Sequence, residues 1–170
     1  MPAPSPIVIG IAGWKNSGKT TLATGLITEL TRRGLRVASI KHAHHAVEVD
    51  EADTDSARHR RAGAQQVAVV SRSGWALMRA LNDTPEPSLQ QMLAMLDPCD
   101  IVIVEGYKRA PIAKIEVRRL ASQTHEPLAD GDPFVIAIAT DHPIPDARVP
   151  VFALDDVAAL ADLLLSRPPH

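Results

Sequence analysis

Cysteine is nearly missing from this chain. Cys99 stands alone among 170 residues, which excludes an internal disulfide and suits a reducing compartment. It lies at the mouth of an apolar strand and reads as an inert core thiol. Long hydrophobic runs are missing too, since none approaches the ~18 residues that a membrane helix needs. The opening residues, Met1 to Pro6, carry no basic stretch, and the apolar run after them belongs to a loop motif, so no secretory signal is expected. The cytoplasm is the expected location. Charge of one sign is not in excess either: 18 Lys and Arg face 20 Asp and Glu, a formal net charge of −2. That balance gives no electrostatic reason to expect nucleic acid or a membrane as partner. Internal repeats and linkers are absent, and the length suits one domain, residues 1–170, able to bury a core.

What is present is concentrated near the amino terminus. An apolar strand from Ile7 to Ala12 runs into Gly13, Trp14, Lys15, Asn16, Ser17, Gly18, Lys19, Thr20 and Thr21, which spell G-x-x-x-x-G-K-T and one further threonine. This is the pattern of a phosphate-binding loop. Gly13 and Gly18 permit the tight turn that aims successive N–H groups at phosphate oxygens. Lys19 adds charge near the β- and γ-phosphates, and the Thr20 hydroxyl can complete a Mg²⁺ shell. Helical spacing of apolar residues after Thr21 sets a positive dipole end against the same anion.

Beyond the loop, short β runs alternate with helical segments. The first helix spans about Lys19 to Arg33, with Gly34 as its stop; a second strand spans Arg36 to Lys41. A short helix from Asp55 to Gly63 follows, capped by Asp53 or Asp55. Two β runs, Gln66 to Ser71 and Trp75 to Arg79, form a hairpin. The Ser88–Leu96 helix places Met92 and Met95 in the core. Strands at Asp100–Glu105, Ala113–Arg118, Phe134–Ala139 and Val149–Ala153, then a closing helix from Asp155 to Leu165, complete the pattern. The expected class is α/β: a three-layer phosphate-loop NTPase fold with a mainly parallel, partly mixed sheet flanked by helices. Residues 123–133 read as a surface loop, and Lys114 to Arg118 alternates like an edge strand able to pair between subunits.

Ligands of parallel sheets collect beyond the carboxyl ends of the strands. Glu105 ends the most apolar strand, where a carboxylate can hold a metal-bound water or orient an attacking one. Asp100 begins the same strand, roughly 16 Å away at ~3.3 Å per residue, on the wrong edge. Lys41, His42, His44 and His45 follow the second strand. Three readings apply to that run: a solvated loop, a zinc site lacking a completing cluster, or a second anion site beside the phosphate loop. Its position favours the third. Arg58 and Arg61, three apart on the short helix, can face the same phosphates.

Taken together, the G-W-K-N-S-G-K-T-T loop, K-H-A-H-H at 41–45, V-E-G-Y-K at 104–108, A-K-I at 113–115 and I-A-T-D at 138–141 resemble the molybdopterin-guanine dinucleotide biosynthesis protein B (MobB) family. The resemblance spans nearly the whole chain. It implies a GTP- and Mg²⁺-binding accessory protein with weak GTPase activity and a homodimeric form. It also implies a molybdopterin guanylyltransferase, a MobA-type enzyme, as partner. Carried over by position, Gly13 to Thr21 hold nucleotide phosphates, with Lys19 and Glu105 as the candidate catalytic pair. Thr20 and Glu105 form the metal site, the 41–45 run faces phosphate or molybdopterin, and Asp141 contacts the base. The N-K-x-D motif of larger GTPases is absent. Two other classes compete: a small-molecule kinase, which would need an arginine-bearing lid that residues 123–133 lack, and a non-catalytic nucleotide-dependent adaptor.

Overall fold

The computed structural model describes residues 5–43, 54–122, 124 and 126–167. Among these residues the elements run β1 (Ile7–Gly13), α1 (Lys19–Arg32), β2 (Val37–Lys41), α2 (Asp55–Arg61), β3 (Gln66–Ser71), β4 (Gly74–Arg79), α3 (Leu89–Ala94), β5 (Ile101–Glu105), β6 (Lys114–Arg118), β7 (Val135–Thr140), β8 (Val151–Ala153) and α4 (Val157–Leu165). Each lies within two or three residues of the segment expected from periodicity. The chain folds as two compact units, residues 1–42 with 89–170 and residues 43–88.

The larger unit is an α/β three-layer structure. Its six strands follow the order β2-β5-β1-β6-β7-β8, and every neighbouring pair is parallel. A parallel sheet must be covered on both faces, and β5 shows how the sequence meets that demand. Its Ile101 and Ile103 pack with Leu22, Leu26 and Leu30 of α1 and Leu160 and Leu164 of α4. Val102 and Val104 point the other way, joining Ile40, Leu89, Met92 and Leu93 on the α3 side. Met92 is thus a core residue as expected. Met95 is not: it is 72% exposed, because α3 ends at Ala94 and Met95 leaves its buried stripe.

Lys114 to Arg118 is not an edge strand. As β6 it lies between β1 and β7 and is hydrogen-bonded on both sides. The alternation misleads because two charged residues are buried: Lys114 and Glu116 are each 1% exposed. Lys114 pairs with Asp132, and Glu116 takes a two-pronged contact from Arg118 at 2.8 and 2.9 Å. Glu116 also accepts the Leu128 and Ala129 N–H groups at 2.9 and 2.8 Å, which fastens the following loop to the sheet.

In the smaller unit α2 precedes an antiparallel β3–β4 hairpin, so the antiparallel pair is a sheet of its own. Thr54, not Asp55, caps α2 by accepting the Ala57 N–H. Asp53 lies outside the described residues. Arg58 is paired with Asp55, and Arg61 donates to the Ala57 carbonyl, so both have local partners on α2. Val70 and Trp75 face each other across the hairpin at 77% and 74% exposure, with Leu77 at 53% on the same face.

Candidate functional site

The phosphate-loop residues join β1 to α1 by a turn that ordinary residues resist. Asn16 has φ +63° and Gly18 has φ +91°. A Cβ on Gly13 would lie 2.6 Å from Ser17 Oγ and 2.7 Å from the Val117 carbonyl, so only glycine fits. Ser17 is 1% exposed, and its Oγ has no hydrogen-bond partner, a polar atom left unpaired inside the turn. Lys15 is exposed, and its carbonyl accepts the Ser122 hydroxyl at 3.3 Å. Lys19 folds back over the loop and donates to the Trp14 carbonyl at 2.6 Å. Burial pushes its pKa down, Glu105 opposes that, and Lys41 adds to it. A partly desolvated ammonium held at the loop is suited to an anion.

Three side chains meet beside it. Thr20 Oγ1 donates to Glu105 Oε1 at 2.8 Å. Lys41 Nζ lies 3.4 Å from Thr20 Oγ1 and 3.5 Å from Glu105 Oε1. The sheet register explains the meeting, because Glu105 is paired with Ile11 of β1 on one side and Lys41 of β2 on the other. A hydroxyl and a carboxylate are the hard oxygen donors that Mg²⁺ takes, and Lys41 places its positive charge against both. Asp100 is at the opposite edge, paired with Arg36 at 2.8 Å.

His42 does join this edge. Its N–H donates to the Glu105 carbonyl at 2.8 Å, and its ring lies 4.9 Å from that of Tyr107. Gly106 makes this possible: at φ +100°, a Cβ there would sit 2.4 Å from the His42 carbonyl. His44 and His45 lie outside the described residues. Among the described residues, no group of three or more His, Cys, Asp and Glu side chains is placed to hold a metal.

Asp141 follows β7, two strands from β1, and its carboxylate is already engaged. It accepts the Leu120 N–H at 3.0 Å and lies 2.9 Å from His142 Nδ1. The His142 contact first, then the Leu120 N–H, hold its carboxyl below the usual range. A cavity of about 580 Å³ opens beside it, lined by Thr140, Asp141, His142, Phe152, Leu154 and Asp155.

Reading the sequence alone missed the surroundings of Trp14. Its ring carries the Lys108 ammonium at 3.0 Å from the centroid, and its indole N–H donates to the Glu126 carbonyl at 2.7 Å. A basic residue three positions after a strand-end carboxylate, on the strand beside β1, is the signal that pointed there.

A parallel sheet in this strand order, with a glycine-bounded loop between β1 and α1 and a carboxylate at the end of the adjacent strand, defines the α/β fold of the phosphate-loop NTPase class. Within that class the likeness is specific. The model of the family described as "Molybdopterin guanine dinucleotide synthesis protein B" matches residues 8–141. A protein of Haemophilus influenzae named molybdopterin-guanine dinucleotide biosynthesis adapter protein is 38% identical over 160 residues, covering 92% of this chain and 86% of its own. An Escherichia coli protein of the same name is also 38% identical over 160 residues, covering 93% and 91%. The crystal structure of a MobB homologue from Bacillus stearothermophilus superposes with a TM-score of 0.72 at 26% identity, over 94% of this chain and 99% of that one. The chain belongs to the MobB family.

Proposed function

We propose that this protein is a cytoplasmic adapter of molybdopterin guanine dinucleotide biosynthesis that binds GTP with Mg²⁺ and hydrolyses it slowly. The observation that carries this reading is the Thr20–Glu105 hydrogen bond at 2.8 Å, beside a loop whose lysine is held by the Trp14 carbonyl. Family membership supplies the pathway, and the preference for GTP is our inference from the resemblance of the site motifs. The naming of curated relatives as adapter proteins favours nucleotide that is held more than consumed.

In this reading the loop N–H groups and Lys19 bind the triphosphate, and Thr20 and Glu105 hold Mg²⁺. Bound there, Mg²⁺ would neutralise charge on the phosphates. Glu105 orients a water toward the terminal phosphate, and Lys41 and His42 flank the same point. A molybdopterin guanylyltransferase is the partner, with molybdopterin itself a ligand for the edge that Lys41 and His42 begin. Asp141 and the cavity beside it lie on the far side of the loop from Glu105, which suits a nucleoside.

A homodimer belongs to the same proposal. With β6 interior, the apolar face formed by Val70, Trp75 and Leu77 on the hairpin is the surface we assign to it.

Calorimetry with GTP, GDP and ATP, with and without Mg²⁺, tests the site. The expected result is Mg²⁺-dependent binding of GTP over ATP that Lys19→Ala weakens at least tenfold. Equal affinity for all nucleoside triphosphates would overturn the guanine preference. Single-turnover hydrolysis with and without the guanylyltransferase decides whether the nucleotide is consumed; negligible turnover in both leaves a pure adaptor. Rapid phosphoryl transfer to a hydroxyl acceptor would instead establish a kinase.

A further inference from the structure

Trp14 gathers two lysines at the phosphate loop, and the site as described so far uses one of them. The Trp14 carbonyl holds Lys19 at 2.6 Å, while its ring carries Lys108 at 3.0 Å. The ring is itself fixed, because its N–H donates to the Glu126 carbonyl at 2.7 Å. Lys108 reaches the ring through a constrained turn. Gly106 stands at φ +100° against the His42 backbone, and the Lys108 N–H closes on the Gly106 carbonyl at 2.9 Å. That turn brings Lys108 from the end of β5 across to the end of β1, its neighbour in the sheet.

Among the described residues no carboxylate lies within ion-pair distance of the Lys108 ammonium, although both Lys108 and Trp14 are only half-buried. An aromatic face attracts an ammonium but satisfies none of its three N–H donors. Burial is the main influence lowering its pKa, Glu126 opposes it, and Arg109 and Lys19 add to it. A desolvated cation beside a second cation, on a rigid aromatic surface, is poised to exchange that surface for an anion.

We propose that Lys108 is a specificity-determining residue that reads the terminal phosphate of a nucleoside triphosphate, with the Trp14 ring as its resting position when that phosphate is absent. This rests on the nucleotide-binding reading above. Lys19 and the loop backbone engage the phosphates common to di- and triphosphate. Lys108, arriving from the strand that carries Glu105, adds a contact that only the triphosphate can return. The protein then distinguishes the two nucleotides without an arginine supplied by a partner. Departure of the ammonium from the indole also gives the exchange an optical signature.

The test uses the full chain carrying Trp75→Phe, which leaves Trp14 as the single tryptophan of the two present. Lys108→Met keeps the aliphatic stem on the ring, and Lys108→Arg keeps the charge. A non-hydrolysable GTP analogue and GDP, each with Mg²⁺, are titrated by calorimetry and by tryptophan emission. We expect Lys108→Met to weaken the triphosphate analogue by about tenfold, the loss of one charge-assisted contact. GDP affinity should stay within about twofold, and Lys108→Arg should restore discrimination. Trp14 emission should change on adding the analogue and scarcely on adding GDP. Retained GDP binding shows that the variant is folded. If both nucleotides weaken alike, or neither does, while Lys19→Ala weakens binding at least tenfold, the role of Lys108 is overturned and the nucleotide site stands. If nucleotide binding is undetectable or indifferent to Lys19→Ala, the nucleotide-binding reading itself fails, and the Lys108 assignment with it.

Discussion

Thr20 Oγ1 donates a 2.8 Å hydrogen bond to Glu105 Oε1 across 85 positions of sequence. One residue opens α1 and the other closes β5, and the pair exists because β1 and β5 are parallel neighbours. Lys41 stands 3.5 Å from the same carboxylate, so a divalent cation must compete with an ammonium already in place. Lys41→Ala should therefore strengthen Mg²⁺ binding several-fold in the absence of nucleotide, roughly the scale of one exposed ion pair. Isothermal titration with Mg²⁺ alone checks this, and an unchanged or weaker affinity would show that Lys41 does not compete.

Removing the loop charge should be more damaging than any single change elsewhere at the site. Contacts to a charged group are worth ~1.5–3 kcal/mol, so Lys19→Ala should lower affinity for Mg²⁺-GTP by between about tenfold and about 100-fold. Glu105→Gln keeps the shape and a neutral oxygen but loses the charge. It should abolish the dependence on Mg²⁺ while leaving residual metal-free binding, measured by the same titration with and without chelator.

Glu116 should be a stability residue with a functional shadow. It is 1% exposed and satisfies Arg118 together with the Leu128 and Ala129 N–H groups. Glu116→Ala leaves those donors unmatched, a change that costs ~3–5 kcal/mol for a broken buried pair. In a chain of this size that lowers the melting temperature by about 6–20 °C. Calorimetric melting reads it directly. Because the same loop supplies Ser122 to the Lys15 carbonyl and the Glu126 carbonyl to Trp14, nucleotide affinity should fall too, at temperatures where the variant remains folded.

Acid should weaken the fold partly through Glu29. Hydrogen bonds from Arg32 first, and then Arg33, bring its pKa from 4.5 down to about 2. A folded-state pKa below the unfolded one means the stabilisation is whole above pH 4.5 and disappears as pH falls toward about 2. Glu29→Gln should flatten that part of the stability curve in denaturant titrations at several pH values. An unchanged slope would mean the carboxylate contributes nothing there.

The hairpin face should govern association. Trp75→Ser removes the ring opposite Val70, both largely exposed, and should shift a dimer toward monomer in sedimentation velocity without lowering nucleotide affinity. A dimer that survives this change and Val70→Ser together would place the interface elsewhere.

Much of this was legible beforehand because it depends on local rules. The G-x-x-x-x-G-K-T spacing identified the turn, and the continuous apolar run at 101–104 marked a strand buried on both faces. What misled were cases where a partner distant in sequence changes the meaning of a residue. Lys114 and Glu116 look like solvent-facing positions of an edge strand, yet Asp132 and the Arg118 guanidinium allow them into the interior. Met95 fits the apolar stripe of a helix that stops one residue before it.

The sequence by itself determined the phosphate loop, the alternation of strands and helices, and family membership, because each is written in short spacings. Only the tertiary structure decided the strand order, and therefore that Lys41 joins the Thr20–Glu105 pair expected from the sequence, and that Lys108 meets Trp14. Periodicity says which residues face a core but not which strands are neighbours. That choice is made by how the two faces of the sheet are covered.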